Sequence, residues 1–165
     1  MIVTFEAFRG FPDADICVVG SGPIGLGLAH ACVKRGLKVL MLESGSYWPD
    51  EQKNDLGKAG TLDTTHHVPL EEGCCRALGG NSYQWGGRCV PFDPIDFEAR
   101  PWIKNSGWPI SAETVTRWYA DAAGFLRCRD DFTDAPLWPD NGRVRSDTLE
   151  SWVANPNIAH VYGDW

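Results

Sequence analysis

The feature that most constrains this chain is Gly20-Ser-Gly-Pro-Ile-Gly25, a G-x-G-x-x-G run, because of what flanks it. Before it, Asp15-Ile-Cys-Val-Val19 is a short, largely β-branched apolar run ending at Gly20, and it predicts a buried strand. After it, from Pro23 or Ile24 to Arg35, Leu28, Ala29, Cys32 and Val33 recur at three- and four-residue intervals, so a helix turns one stripe toward a core. Gly36 is placed to stop that helix, with Lys34 and Arg35 in the last turn, where cations complement the helix dipole. A second buried strand is predicted over Lys38 to Leu42. Strand, helix, strand is the unit that builds parallel sheets with a right-handed crossover.

In that setting each glycine has a mechanical reason. Gly20 lets the chain turn tightly out of the strand, Gly22 lets backbone N–H groups approach a pyrophosphate, and Gly25 allows close packing of helix on strand. The helix start, with Ser21, Pro23 and Ile24 in the same turn, presents unsatisfied N–H donors and partial positive charge to an anion. An acid, Glu43, closes the second strand 23 residues after Gly20. It is suited to accept hydrogen bonds from both hydroxyls of an adenosine ribose, and it disfavours a 2′-phosphate by like charge. The turn alone does not separate FAD from NAD.

After Glu43 the periodicity disappears, and Ser44 to Cys75 is polar and turn-rich, with an acidic stretch from Pro49 to Gly60. The segment Arg76-Ala-Leu-Gly-Gly-Asn-Ser-Tyr-Gln-Trp-Gly-Gly-Arg88 then places two Gly-Gly pairs around polar and aromatic residues. Bare N–H groups with the Asn81 and Ser82 side chains suit the ring or phosphate oxygens of a flat polar ligand. Composition equally allows a glycine-rich loop with Trp85 filling the core. Proline-broken chain follows to Pro109. Ser111 then reads as an N-cap, and Val115, Trp118, Tyr119, Ala122, Ala123 and Leu126 form the stripe of a second helix. Beyond Arg127, Pro136, Pro139, Asn141 and Gly142 mark turns, and Ile158 to Tyr162 predicts the start of a strand.

Several function classes are excluded or disfavoured. With 22 acidic and 15 basic residues the net charge is −7, and Lys and Arg are scattered, which argues against nucleic acid. Arg127, Arg129, Arg143 and Arg145 are interleaved with aspartates, as on a solvated face. No segment approaches the roughly 20 apolar residues of a membrane span. Met1 to Phe11 lacks the pattern of a secretory signal, so a cytoplasmic location is expected, with export on a partner subunit left open. The six cysteines include no C-x-x-C pair, which fits reduced thiols, Cys74 and Cys75 among them. His30 reads as a packing residue, and His66-His67 has no third ligand at sensible spacing, so no metal site is expected.

Taken together and in order, Asp15–Gly25, Leu42-Glu-Ser-Gly45 and Arg76-Ala-Leu-Gly-Gly-Asn-Ser82 resemble the N-terminal FAD-binding part of the glucose–methanol–choline (GMC) oxidoreductases. Asp96-Phe97, Trp102, Gly107-Trp-Pro109 and the Trp118-Tyr119 helix continue the likeness over roughly residues 13 to 126. Gly80-Asn-Ser-Tyr-Gln-Trp85 is most similar to the sugar-oxidising, pyranose 2-oxidase-like branch.

The resemblance implies an α/β, Rossmann-like FAD/NAD(P)-binding fold with long glycine-rich loops. It also implies an enzyme that oxidises an alcohol, a sugar or polyol CH–OH, by hydride transfer to flavin. It assigns Gly20, Gly22 and Gly25, with Ser21, Pro23 and Ile24 between them, to the pyrophosphate, and Glu43 with Ser44 to the ribose. Arg76, Gly79, Gly80, Asn81 and Ser82, with Trp85 and Gly86, would lie against the pyrophosphate, ribityl chain and ring. Gln84 stands where the branch carries a histidine that bonds flavin covalently, so FAD is expected to be dissociable.

Family members are longer, and nothing here matches their C-terminal catalytic histidine, so no catalytic residue is assigned among His30, His66, His67 and His160. The expected organisation is residues 1–126 as the N-terminal part of a FAD-binding domain, and 127–165 as a turn-rich tail toward a substrate domain. On that reading the sheet is incomplete, and the isolated chain is unstable or associates through free sheet edges or with a partner chain. Two alternatives stand beside it: a NAD-binding dehydrogenase domain, and a non-enzymatic cofactor-binding module.

Overall fold

The computed structural model describes residues 2–10, 12–58, 63, 65–128, 151–153 and 159. The chain divides into two compact units, Met1–Gly86 with Asn155–Trp165, and Gly87–Ala154.

The first unit is built on strand β1 (Ile16–Val19), helix α1 (Pro23–Lys34) and strand β2 (Val39–Leu42). The strands pair in parallel, with Ile16 opposite Val39 and Val19 opposite Leu42. Asp15 and Lys38, which the apolar pattern assigns to the strands, form a clasp at their entrance. The Lys38 N–H donates to the Asp15 carboxylate at 2.8 Å, and Asp15 N–H donates to Lys38 O at 2.9 Å. Helix α1 ends one residue earlier than the stripe suggests. Arg35 is its C-cap, with its N–H turned back to Cys32 O and Val33 O, and Gly36 follows at φ 80°.

Helix α1 covers the face of the sheet that carries Val18, and Val18, Leu26 and Cys32 are buried there. Side chains alternate across a strand. Val19, on the other face, is 82% exposed, and Cys17 beside it is exposed too. The segment from Ser44 to Cys75 is more ordered than its composition suggests. It contains helix α2 (Glu51–Asn54), a 3₁₀ turn at Asp55–Gly57 and helix α3 (Leu70–Gly73). Four-residue helices are too short to write an amphipathic period. Their signals are local: Asp50 caps α2 by accepting from Lys53 N–H at 3.0 Å.

In the second unit β3 (Arg88–Cys89) pairs antiparallel with β4 (Ser151–Trp152). Phe92, Phe97 and Trp108 pack edge to face or tilted, with centroids 4.9 to 6.0 Å apart. The helix expected from Ser111 to Leu126 is two helices, α4 (Ala112–Thr116) and α5 (Tyr119–Leu126). Ser111 is the N-cap as expected, accepting from Thr114 N–H at 3.2 Å. The break follows Thr114-Val115-Thr116, three β-branched residues with poor helix propensity. There Trp118 N–H bonds Val115 O, tightening the turn.

Among the described residues no helix is long and apolar enough to cross a membrane. The turn signals from Pro136 to Gly142, Arg129, Arg143, Arg145 and His160 lie outside the described residues, as does the strand expected over Ile158 to Tyr162 apart from Ala159.

Candidate functional site

The first glycine turn leaves β1 through Gly20, at φ 95°, whose N–H donates to Leu42 O at 2.7 Å. A Cβ on Gly25 would stand 2.1 Å from Gly20 O, so only glycine lets the helix approach the strand end this closely. Gly22 is different. It is the N-cap of α1, no side chain caps it, Pro23 follows at the first helical position, and a Cβ there would meet nothing within 4 Å. Ile24 is exposed. The outward surface of the turn is therefore bare backbone at a helix N-terminus, the arrangement that receives an anion.

Glu43 sits at the end of β2, half-buried. Its Oε2 accepts from Ser21 N–H at 2.8 Å and from Ser21 Oγ at 2.6 Å, and its Oε1 accepts from Gly45 N–H at 2.8 Å. Burial raises its pKa. Hydrogen bonds from the Ser21 hydroxyl and from backbone N–H groups outweigh this and hold the carboxyl below its ordinary value. Oε1 also takes the Ser44 hydroxyl, at a long 3.5 Å, so it is the more loosely held of the two oxygens. The Ser21 side chain is fully buried rather than facing outward.

The second glycine segment meets the first. A Cβ on Gly80 would lie 3.0 Å from Gly22 Cα, and Gly79 and Gly80 both have positive φ, 100° and 54°. They open a 3₁₀ turn, Gly80–Tyr83, that packs against α1. Most polar side chains here hold the chain itself. Asn81 Oδ1 accepts from Cys75 N–H at 2.7 Å, and its Nδ2 donates to Gly73 O at 2.9 Å. Gln84 Nε2 donates to Glu72 O at 3.0 Å. Arg76 donates from its guanidinium to Ser44 Oγ at 2.9 Å. Ser82 differs: its Oγ is buried and has no hydrogen-bond partner among the described residues. Trp85 is half-buried and Gly86 exposed at the end of the segment.

Six residues outside the expected site set complete this frame. Leu78 N–H donates to Ser46 O at 2.9 Å, and Ser46 and Ala77 form a parallel bridge. A Cβ on Gly45 would lie 2.1 Å from Arg76 O, so the two stretches meet backbone to backbone. Asn54 Oδ1 accepts from Arg76 N–H at 2.8 Å. Cys75 is buried against them, its thiol pushed up by burial and by the charge of Glu43. Gly45 follows Glu43 by two residues and carries a sequence signal; Asn54, Cys75 and Ala77 carry none outside the fold. His66 Nδ1 lies 2.7 Å from Asp63 Oδ2 on the surface, and among the described residues no three His, Cys, Asp or Glu side chains gather as a metal site.

Residues 18–48 match the NAD(P)-binding Rossmann-like domain family, which covers the end of β1, the glycine turn, α1, β2 and Glu43. The chain is 27% identical over 116 residues to 6'''-hydroxyparomomycin C oxidase of Streptomyces lividus, covering 64% of this chain and 21% of that protein. It is 25% identical over 176 aligned positions to 2-methyl-1,2-propanediol dehydrogenase of Mycolicibacterium austroafricanum, covering 92% of this chain and 31% of that protein. The chain thus spans between about a fifth and a third of the length of these curated relatives. It carries a Rossmann-like nucleotide-binding unit over the matched residues.

Proposed function

We propose that this chain holds FAD, non-covalently, for the oxidation of an alcohol, and that it is the N-terminal FAD-binding portion of a GMC-type oxidoreductase. The observation that carries the reading is the meeting of two glycine segments. Gly80 lies against Gly22, beside an uncapped helix N-terminus and an acid with one oxygen more loosely held than the other. Ser82, a buried hydroxyl in the second segment with no partner among the described residues, fits a ligand that supplies one.

The chain's own residues bind and orient. The Gly20–Gly25 turn and the start of α1 receive the pyrophosphate, and Glu43 takes a ribose hydroxyl at Oε1. The Gly79–Ser82 turn closes the surface from the other side. When bound, FAD supplies a two-electron acceptor for the hydride of a CH–OH carbon. The relatives' names, an oxidase of a hydroxylated compound and a dehydrogenase of a diol, support an alcohol substrate of the sugar or polyol kind. Gln84, bonded to Glu72 O, offers no covalent attachment to flavin.

The second reading, a NAD-binding dehydrogenase domain, is favoured by the description of the family matched at residues 18–48. The visible spectrum of the purified chain after incubation with FAD, before and after acid precipitation, decides between them. Flavin bands that move to the supernatant are expected. A folded chain that takes up no FAD but binds NAD overturns the proposal in favour of the second reading. Flavin that stays in the pellet overturns the non-covalent part.

A further inference from the structure

We infer that Ser21 is the positioning residue of this site: its buried hydroxyl aims Glu43 and locks the second glycine segment to the first. The inference rests on the dinucleotide reading of the site, and its geometry is in the chain itself. Ser21 is fully buried, so its side chain acts through its neighbours. A carboxylate only accepts, so the bond of 2.6 Å to Glu43 Oε2 fixes the hydroxyl proton on Ser21 Oγ and points it at Glu43. The oxygen's lone pair then accepts from Gly79 N–H at 3.1 Å. Ala77 O, at 3.5 Å, competes for a proton already engaged.

The result is a directed chain from Gly79 N–H through the Ser21 hydroxyl to the Glu43 carboxylate, in which each bond polarises the next. Ser21 N–H adds a second bond to the same Oε2. Glu43 is thereby held with Oε2 turned inward, and Oε1, steadied by Gly45 N–H at 2.8 Å and only loosely by the Ser44 hydroxyl at 3.5 Å, is the oxygen offered to a ribose. The other ionisable groups beside it are the Cys75 thiol, coupled to Glu43 by charge, and the Arg76 guanidinium, seated on Ser44 Oγ. One hydroxyl thus sets both the aim of the ribose acceptor and the position of the Gly79–Ser82 turn.

The test is a double-mutant cycle on the full chain with S21A, E43Q and their combination. It is read by the dissociation constant for FAD and by NMR titration of the Glu43 carboxyl in the ligand-free protein. A hydrogen bond to a charged group makes S21A weaken FAD about tenfold where Glu43 is intact, and clearly less in the E43Q background, where only the bond to Gly79 is left to lose. The Glu43 titration moves to higher pH in S21A. Equal losses in both backgrounds, with that titration unmoved, overturn the inference in favour of a packing role. S21C keeps the volume with a weak donor and covers the case in which S21A does not fold; it is expected to fall between S21A and the unmodified chain, and a loss no smaller than that of an unfolded S21A overturns the inference. If the unmodified chain binds no FAD while the Glu43 titration still shifts in S21A, the hydrogen-bond chain stands and the FAD reading falls.

Discussion

The two glycine segments of the first unit use their side chains in opposite ways. Gly20–Gly25 turns bare backbone outward, and its one polar side chain, Ser21, is buried and bonded to Glu43 and Gly79. Gly79–Gln84 carries more polar side chains, yet Asn81 and Gln84 use theirs to hold the preceding loop, and Ser82 alone keeps a buried hydroxyl with no partner among the described residues. On the proposed reading the first segment is a site made of main chain. The second is a brace that brings one hydroxyl to it. A polar residue next to a glycine pair is thus no guide by itself to ligand contact; what decides is whether the chain has already satisfied it.

The largest effect separates Gly25 from Gly22. Gly25→Ala forces a Cβ to 2.1 Å from Gly20 O and is expected to destabilise the chain by about 3 kcal/mol, read from the urea midpoint. Gly22→Ala meets open space at an ordinary φ of −63°, so stability stays within about 0.5 kcal/mol while FAD binding falls. A Gly22→Ala chain that binds FAD normally breaks the view that this backbone faces the ligand.

Next comes the contrast inside the second segment. Asn81→Ala strips the partner from the N–H of buried Cys75 and from Gly73 O, with an expected cost of about 2 kcal/mol in chemical denaturation. Ser82→Ala removes a hydroxyl that bonds nothing among the described residues, so the ligand-free chain is expected to be no less stable, whereas its FAD affinity drops. The opposite pattern, Asn81→Ala tolerated and Ser82→Ala destabilising, would exchange the roles given to the two residues.

How much of this was legible beforehand follows from range. The extents of β1, α1, β2 and the Gly20–Gly25 turn are readable because each is written in contiguous residues with flanking signals, and Gly25 does what its place in the pattern requires. The inward stripe of α1 is not the expected one: Leu28 and Val33 are exposed, and Leu26 is buried with Cys32. The long Ser44–Cys75 segment was not, because α2 and α3 each last a single turn. The single helix expected over Ser111–Leu126 breaks at Trp118, after a β-branched run, and its stripe holds only in part: Ala123 is buried, whereas Trp118 and Ala122 are exposed. In the site, the anion turn and its acid could be named, but the inward direction of Ser21 could not. It depends on Glu43 and Gly79, 22 and 58 residues away, and no local pattern encodes such a meeting. Asn81, expected to bond a ligand, also holds Cys75 N–H and Gly73 O, partners that are visible only once the loop is folded.

Acid should act on the first unit through Glu43. Its folded pKa is lowered, so its contribution to stability is complete above the ordinary value of 4.5 and is lost as pH falls through the folded value. Urea midpoints taken between about pH 6 and pH 3 are expected to decline in the unmodified chain and to decline less in Glu43→Gln. An unchanged acid limb in Glu43→Gln would show that the carboxylate linking the two segments does not contribute to stability in this range.

The smallest effect reads the same junction from the second segment's side. Cys74 is exposed and Cys75 buried, and the Cys75 thiol is pushed up first by burial and then by the charge of Glu43. Iodoacetamide reacts with thiolate, so Cys74 is expected to alkylate before its neighbour at mildly alkaline pH. Glu43→Gln removes the charge but leaves the burial, so Cys75 should gain only a modest rate, resolved by mass spectrometry of the peptide holding both residues. Cys89, pushed up to about 11 by burial, by the charge of Cys128 and by its hydrogen bond, gives a control in the other unit. Its rate should not respond to Glu43→Gln. Acceleration of Cys75 without Cys89 ties the effect to Glu43, whereas acceleration of both would mean that the substitution had loosened the fold and that the charge of Glu43 was not the cause.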